Sequence, residues 1–264
     1  MQPLSGATER FAELVRRPEA EIPLDEAALL IAAHAYPGLD VAAQQRRIDD
    51  LADGCPEPTV ESLRRHLFDE LRFGGDARHY RDPRSSFLND VMDRRAGIPI
   101  SLSVLTMEVG RRLGLALVGV GMPGHFLVRH QDGGEILDPF GGGRTLDADD
   151  CGRLFRNVHG PGPAFGPRML ATAGRRAILV RMLANLRLVY LAAGDAPASG
   201  WVDRLRATVP AETAADRADV ARALASLGRF VEAADVLDDL AESVPAPGAD
   251  RARSRAASLR ARLN

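Results

Sequence analysis

Between Ile98 and Phe140 the hydrophobic period changes once, and that change limits the fold more than any other feature of the chain. Ile98, Leu102, Leu105, Val109 and Leu113 recur at three- and four-residue steps, the spacing of one helix face, and Gly114 ends the run. Pro99 suits the first position of that helix, where its missing N–H costs nothing. Beyond Gly114, Leu117 to Met122 is apolar and β-prone. The segments His125 to His130 and Glu135 to Phe140 then flank the turn residues Gln131, Asp132, Gly133 and Gly134. A helix followed at once by a strand and a hairpin predicts an α+β domain with a small antiparallel sheet behind a helical layer.

The flanking sequence is helical. Leu24, Ala28, Ile31 and Ala35 share a helical spacing, Pro37 and Gly38 break it, and similar patterns follow near Val41 to Leu51 and Val60 to Leu71. Asp82-Pro83 reads as a helix start, Phe87, Leu88, Val91 and Met92 as its apolar face, and Gly97 as its end. The Gly-, Pro- and Asp-rich stretch from Gly141 to Pro167 reads as a long loop closing a first domain over residues 1–167. Residues 168–264 return to helices with an internal echo. Gly194 and Gly228 stand 34 residues apart and Pro210 and Pro245 stand 35 apart, a tetratricopeptide-like period. Leu227-Gly228-Arg229-Phe230, Glu232-Ala233, Leu237 and Pro245 fit that pattern, and an unrelated helical bundle is the competing reading.

Composition excludes several function classes. The net charge is −2 and the pI near 6.3, so no basic surplus exists to condense on nucleic acid or anionic lipid. Every cation is arginine, which removes P-loop and Schiff-base lysine chemistry. The early residues Glu9, Arg10, Glu13, Arg16 and Arg17 interrupt any signal-like apolar core, and the longest apolar run, near Ala27 to Ala35, is too short for a bilayer. A soluble cytoplasmic protein is expected. Cys55 and Cys151 stand alone, as ordinary thiols without a metal or redox partner motif, and no cofactor or metal is expected. Arg94, Arg95, Arg111 and Arg112 read as solvated helix ends.

Pairing the hairpin about Asp132-Gly133 sets Asp138 opposite Leu127 and His125 opposite Phe140, all on one sheet face, with His130 on the other. His125 and Asp138 are then diagonal neighbours, with Cα atoms about 7–8 Å apart. A carboxylate there fixes the imidazole tautomer and leaves the second ring nitrogen for a nucleophile or a substrate. Packing is the competing role for a histidine beside a turn.

The run Tyr80-Arg81-Asp82-Pro83-Arg84-Ser85-Ser86-Phe87-Leu88-Asn89-Asp90, followed by Arg95-Ala96-Gly97-Ile98-Pro99-Ile100-Ser101-Leu102-Ser103, resembles the SirB-type family of bacterial transglutaminase-like proteins. Gly124-His125-Phe126-Leu127 and Leu137-Asp138-Pro139-Phe140 match its later motifs, over about residues 20 to 245. The resemblance implies a transglutaminase-like core, similar to papain-type proteases, with a tetratricopeptide-like tail. It also implies His125 as catalytic base and Asp138 as its orienting acid.

In that superfamily a cysteine nucleophile opens the helix about fifteen residues before a Leu-Gly end, and counting back from Gly114 lands on Pro99. Proline offers no nucleophile, and loss of one from a coupled triad costs on the order of a million-fold in kcat. Ser101 is the nearest hydroxyl and the candidate replacement. Two residues turn a helix by about 200°, which directs it elsewhere. Asn89 and Ser103 are assigned to binding, Asn89 through a bond across to this helix start or to a substrate amide. The expected function is a protein- or peptide-binding module that lacks the nucleophile. The alternatives are an amide or ester hydrolase or acyltransferase using His125 and Asp138 with water or Ser101, and a chain in which the pair only packs.

Overall fold

The structure, a computed structural model, describes residues 3–160 and 162–263. The chain divides into two compact units: one spans residues 19–182, and the other joins the stretch up to Pro18 to the stretch from Leu183 onward.

Helix α1 (Pro3–Val15) lies in the latter unit. The unit of residues 19–182 opens with α2 (Leu24–Ala33), α3 (Val41–Asp53) and α4 (Val60–Arg64), the last running on into a π-helical turn, Arg65–Glu70. Asp40 caps α3 by accepting from the Ala43 N–H at 2.9 Å, and Thr59 caps α4 through the Ser62 N–H at 3.1 Å. A two-residue strand β1 (Gly74–Gly75) follows.

Asp82 does open a helical turn, accepting from the Arg84 N–H at 3.0 Å, but only a 3-10 turn over Pro83–Ser86. Phe87 is extended, and the helix restarts as α5 (Leu88–Arg94). Gly97 does not end it. Arg95 takes the left-handed conformation at φ 51°, and Ala96–Gly97 forms β2, paired in parallel with β1.

Helix α6 (Pro99–Arg112) starts at the proline and is buried at every position from Pro99 to Gly110, not along one face. The 3.6-residue period marks only its most apolar side, because Ser101, Ser103, Thr106 and Glu108 complete the circumference and are buried too. Each has a partner within the fold. The Thr106 hydroxyl, for instance, donates to the Leu102 carbonyl at 2.8 Å. Fully buried leucines such as Leu102 and Leu105 each contribute roughly 2 kcal/mol of transfer free energy.

Strands β3 (Leu117–Val120), β4 (Leu127–His130), β5 (Ile136–Asp138), β6 (Arg144–Leu146) and β7 (Thr172–Ala173) form an antiparallel sheet in the order β6-β5-β4-β3-β7. The stretch expected as a long loop holds β6 and then α7 (Ala148–His159). Asp147 caps α7 by accepting from the Asp150 N–H at 2.7 Å, and Cys151 and Phe155, one turn apart, pack on Val120, Met122 and Leu127. The acidic residues that suggest a loop are the helix's first turn, where the macrodipole favours them.

Helix α8 (Arg175–Ala192) leads to α9 (Ala196–Thr208), α10 (Ala214–Ser226), α11 (Phe230–Ser243) and α12 (Gly248–Arg260). Gly194 and Gly228 occupy equivalent turns, at φ 71° and 74°, each donating its N–H to a carbonyl three residues back. Pro210 and Pro245 each stand two residues past a helix end, those of α9 and α11. Val220, Leu224, Leu237, Leu240 and Leu259 belong to one buried apolar cluster of α10, α11 and α12, and Trp201 meets Tyr190 edge-on at 5.8 Å. Among the described residues, no helix is long and apolar enough to cross a membrane.

Candidate functional site

The head of α6 is built on backbone contacts. Ile98 is extended and precedes the first turn, and its N–H donates to the Ser85 carbonyl at 3.0 Å and to Ser101 Oγ at 3.1 Å. The Ser101 hydroxyl donates in turn to the Ser85 carbonyl at 2.6 Å. Gly97 is required here by space, because a Cβ on it would stand 2.7 Å from Ser101 Oγ. Pro99, at the first helical position, is buried and brings no N–H and no nucleophile.

The hairpin follows the expected register, with Val128 opposite Leu137 and Arg129 opposite Ile136. Continued by alternation, it makes His125 and Asp138 diagonal neighbours. Their side chains meet, with His125 Nε2 to Asp138 Oδ1 at 2.8 Å, and they are 6% and 1% exposed. Asp138 Oδ1 also accepts the Gly141 N–H at 3.0 Å, and Oδ2 accepts from Arg144 Nε at 3.2 Å. Burial by itself would raise the Asp138 pKa. The His125 hydrogen bond and charge, the Gly141 N–H and the Arg144 charge outweigh it and hold the carboxyl below its ordinary value. An ionised carboxylate bonded to Nε2 leaves Nδ1 as the ring nitrogen available for proton transfer.

One further contact meets the imidazole, and two side chains hold the backbone around it. Phe140 stands edge-on to it at 5.8 Å, and Tyr80, 45% exposed, stands edge-on to Phe140 at 6.3 Å. Arg181 Nη2 donates to the carbonyls of Met122 at 3.0 Å and His125 at 2.8 Å, with its guanidinium 5.2 Å from the Phe126 ring centre. Ser103 Oγ, on α6, donates to the Phe126 carbonyl at 3.3 Å. Ser103 thus supports the histidine's backbone.

The remaining predicted residues stand apart from this contact. The Ser101 hydroxyl bonds to the backbone of Ser85 and Ile98, and none of its bonds reaches His125. Asn89, at the start of α5, is 7% exposed, and its Oδ1 is buried without a hydrogen-bond partner. Burial is the main cause that raises both thiol pKa values, with Glu70 adding to it at Cys55, and Asp150, Asp138 and Asp147 at Cys151. Among the described residues no His, Cys, Asp and Glu side chains gather into a metal-binding group.

Sequence reasoning overlooked Gly141, Arg144 and Arg181. The signal for the first two was the Gly141-Gly142-Gly143-Arg144 run just after Asp138, which reads as loop but brings an N–H and a guanidinium to the carboxylate. A Cβ on Gly141 would collide with Asp138 Oδ2, so glycine is what permits this approach.

A profile of the transglutaminase-like superfamily matches residues 33–184, which include α5, α6 and the whole sheet. The UPF0162 protein of Xylella fastidiosa (strain Temecula1) is 44% identical over 184 residues, covering 64% of this chain and 65% of its own length. The UPF0162 protein of Pseudomonas aeruginosa is 36% identical over 181 residues, covering 65% of this chain and 66% of its own length. F-box only protein 21 of Homo sapiens is 30% identical over 137 residues, covering 48% of this chain and 21% of its own length. The chain thus spans just under two thirds of these bacterial relatives. No solved structure matches it.

Proposed function

The chain belongs to the transglutaminase-like superfamily, and from that premise we propose that it is a member without cysteine acyl-transfer chemistry that works by binding a protein or peptide. The observation that carries this reading is Pro99 at the first position of α6, where the superfamily's thiol would gain from the helix dipole. The raised pKa of both Cys55 and Cys151 supports it, because a thiol kept protonated is a poor nucleophile.

On the same reading the protein is of the SirB type and acts in the cytoplasm. It has a papain-like core over residues 1–167 and a tetratricopeptide-like tail over 168–264 that offers a partner-binding surface. The equivalent turns at Gly194 and Gly228 and the equivalent prolines favour the repeat. A second reading, in which His125 and Asp138 activate water or Ser101 for hydrolysis, is favoured by the 2.8 Å bond and the ionised carboxylate. For Ser101 to serve, it would have to give up its 2.6 Å bond to Ser85.

The two readings part on one experiment. Ammonia or alcohol release from glutaminyl peptides and esters is expected to be the same for wild type and His125→Ala, and iodoacetamide is expected to leave Cys151 unmodified until the chain is denatured. Turnover by the wild type that vanishes in His125→Ala would overturn the binding reading. A partner captured from the native cell is expected to be lost on Val231→Asp, at an exposed residue of α11, and retained in His125→Ala.

A further inference from the structure

Helices α10, α11 and α12 enclose a groove of about 440 Å³, set wholly within the unit that holds the C-terminal helices. Leu237, Leu240 and Val244, along one side of α11, form its apolar floor, and the exposed Ala218 of α10 lines it too. Its volume lies within the range of ligand-binding clefts. The charged side chains that line it are Arg251 and Arg255 of α12, and among the described residues no carboxylate does.

The carboxylates near this groove are engaged elsewhere or turned from it. Asp216 and Asp219 are taken by Arg206 at 3.6 and 2.6 Å, Asp250 by Arg253 at 3.4 Å, and Asp235 and Asp238 by Arg260 at 2.8 and 2.7 Å. Asp239 and Glu242 follow Leu237 by two and five residues, about 200° and 140° round α11 and so away from the floor. Arg251 and Arg255 have no carboxylate partner among the described residues, and they stand one helical turn apart, where like charges repel. Arg111 and Arg112 at the end of α6 show the contrast. Expected as solvated helix ends, they instead take the buried Glu108 at 2.8 Å and Asp25 at 2.7 Å.

We propose that this groove takes an acidic peptide segment of a partner protein, with an apolar side chain seated on Leu237, Leu240 and Val244 and two carboxylates on Arg251 and Arg255, an inference that rests on the binding reading given above. Acidic-motif recognition by paired arginines is a recurring mode of peptide binding. A basic segment would be repelled by both guanidiniums, and a neutral one would leave two like charges side by side. A nucleic acid would match the charge but bring no aliphatic side chain for the floor.

Fluorescence anisotropy of the whole chain with labelled hexapeptides, capped at both ends so that no terminal charge takes part, tests the assignment. Asp-Glu-Leu-Leu-Asp-Glu is expected to bind, Asp-Glu-Ala-Ala-Asp-Glu to bind about tenfold more weakly, and Lys-Lys-Leu-Leu-Lys-Lys not to bind. Arg251→Gln combined with Arg255→Gln should weaken the first peptide by about tenfold, the loss of two exposed ion pairs. Arg251→Glu combined with Arg255→Glu should reverse the preference towards the lysine peptide. Ala218→Leu, which narrows the groove from α10 without touching either arginine, should also weaken binding and serves if an arginine variant does not fold. His125→Ala and Val231→Asp, outside the groove, should leave peptide affinity unchanged. Equal binding of the lysine or the alanine peptide, tighter binding of an oligothymidylate, or undiminished affinity in the glutamine variant or in Ala218→Leu would overturn the proposal. Absence of peptide binding would overturn it too, and if partner capture still depended on Val231 the binding reading would stand without it.

Discussion

Asp138→Ala lowers the unfolding free energy by about 3 kcal/mol, the loss expected when one member of a buried, hydrogen-bonded pair is removed and its partners are left unmatched. The carboxylate is 1% exposed and receives His125, the Gly141 N–H and Arg144, so truncation leaves His125 and the Gly141 N–H without this acceptor, while the half-exposed Arg144 turns to water. Asp138→Asn, which keeps shape and an acceptor oxygen, loses less. The pH dependence has a definite sign. The folded pKa lies below the unfolded value of about 3.9, so the contribution is present above that value and fades as pH falls through the folded pKa. Urea unfolding at pH 7 should separate wild type from Asp138→Asn, and the gap should narrow progressively below about pH 4. A loss under about 1 kcal/mol in Asp138→Ala would mean that the pair contributes little to the fold.

Gly143→Ala loses about as much for a different reason. Gly143 has φ 74°, where a Cβ costs about 1–2 kcal/mol, and the added atom would run into the side chain of Phe68, an overpacking cost of about 1–3 kcal/mol. Gly142 supplies the internal control. Its φ is 73°, but a Cβ there meets nothing within 4 Å, so Gly142→Ala carries only the backbone share. Denaturant midpoints should rank wild type above Gly142→Ala and Gly142→Ala above Gly143→Ala. Phe68→Leu should recover part of the loss when combined with Gly143→Ala. Equal midpoints for the two alanine variants would show that the Phe68 contact is relieved without cost. Because the Gly143 N–H donates to the Asp138 carbonyl at 2.9 Å, this substitution also strains the turn that presents Gly141 and Arg144 to the carboxylate.

The hairpin was legible in the sequence because period 2 fixes which residues share a face and the turn residues around Asp132-Gly133 leave little freedom of register, and the contact between His125 and Asp138 followed from it. The start of α6 at Pro99 was legible for a similar local reason, since proline suits a first helical turn. What escaped was decided by tertiary space. Gly97 looks like a helix end, yet it is glycine because Ser101 Oγ occupies the place of a Cβ. Helix α7 hid behind acidic residues that favour a loop in isolation and a helix first turn once Cys151 and Phe155 have a sheet to cover. Arg181 reaches the carbonyls of Met122 and His125 from 56 or more positions along the chain, a distance over which no spacing rule operates.

The chain's single tryptophan, Trp201, lies on α9 and is 7% exposed against Tyr190. Its emission is therefore a private optical reporter of the unit that holds the C-terminal helices, silent about residues 19–182. Far-ultraviolet circular dichroism sees the helices of both units. Melting curves recorded by the two methods coincide only if both units unfold in one cooperative step, so a single sample can tell whether the halves of this molecule share their fate.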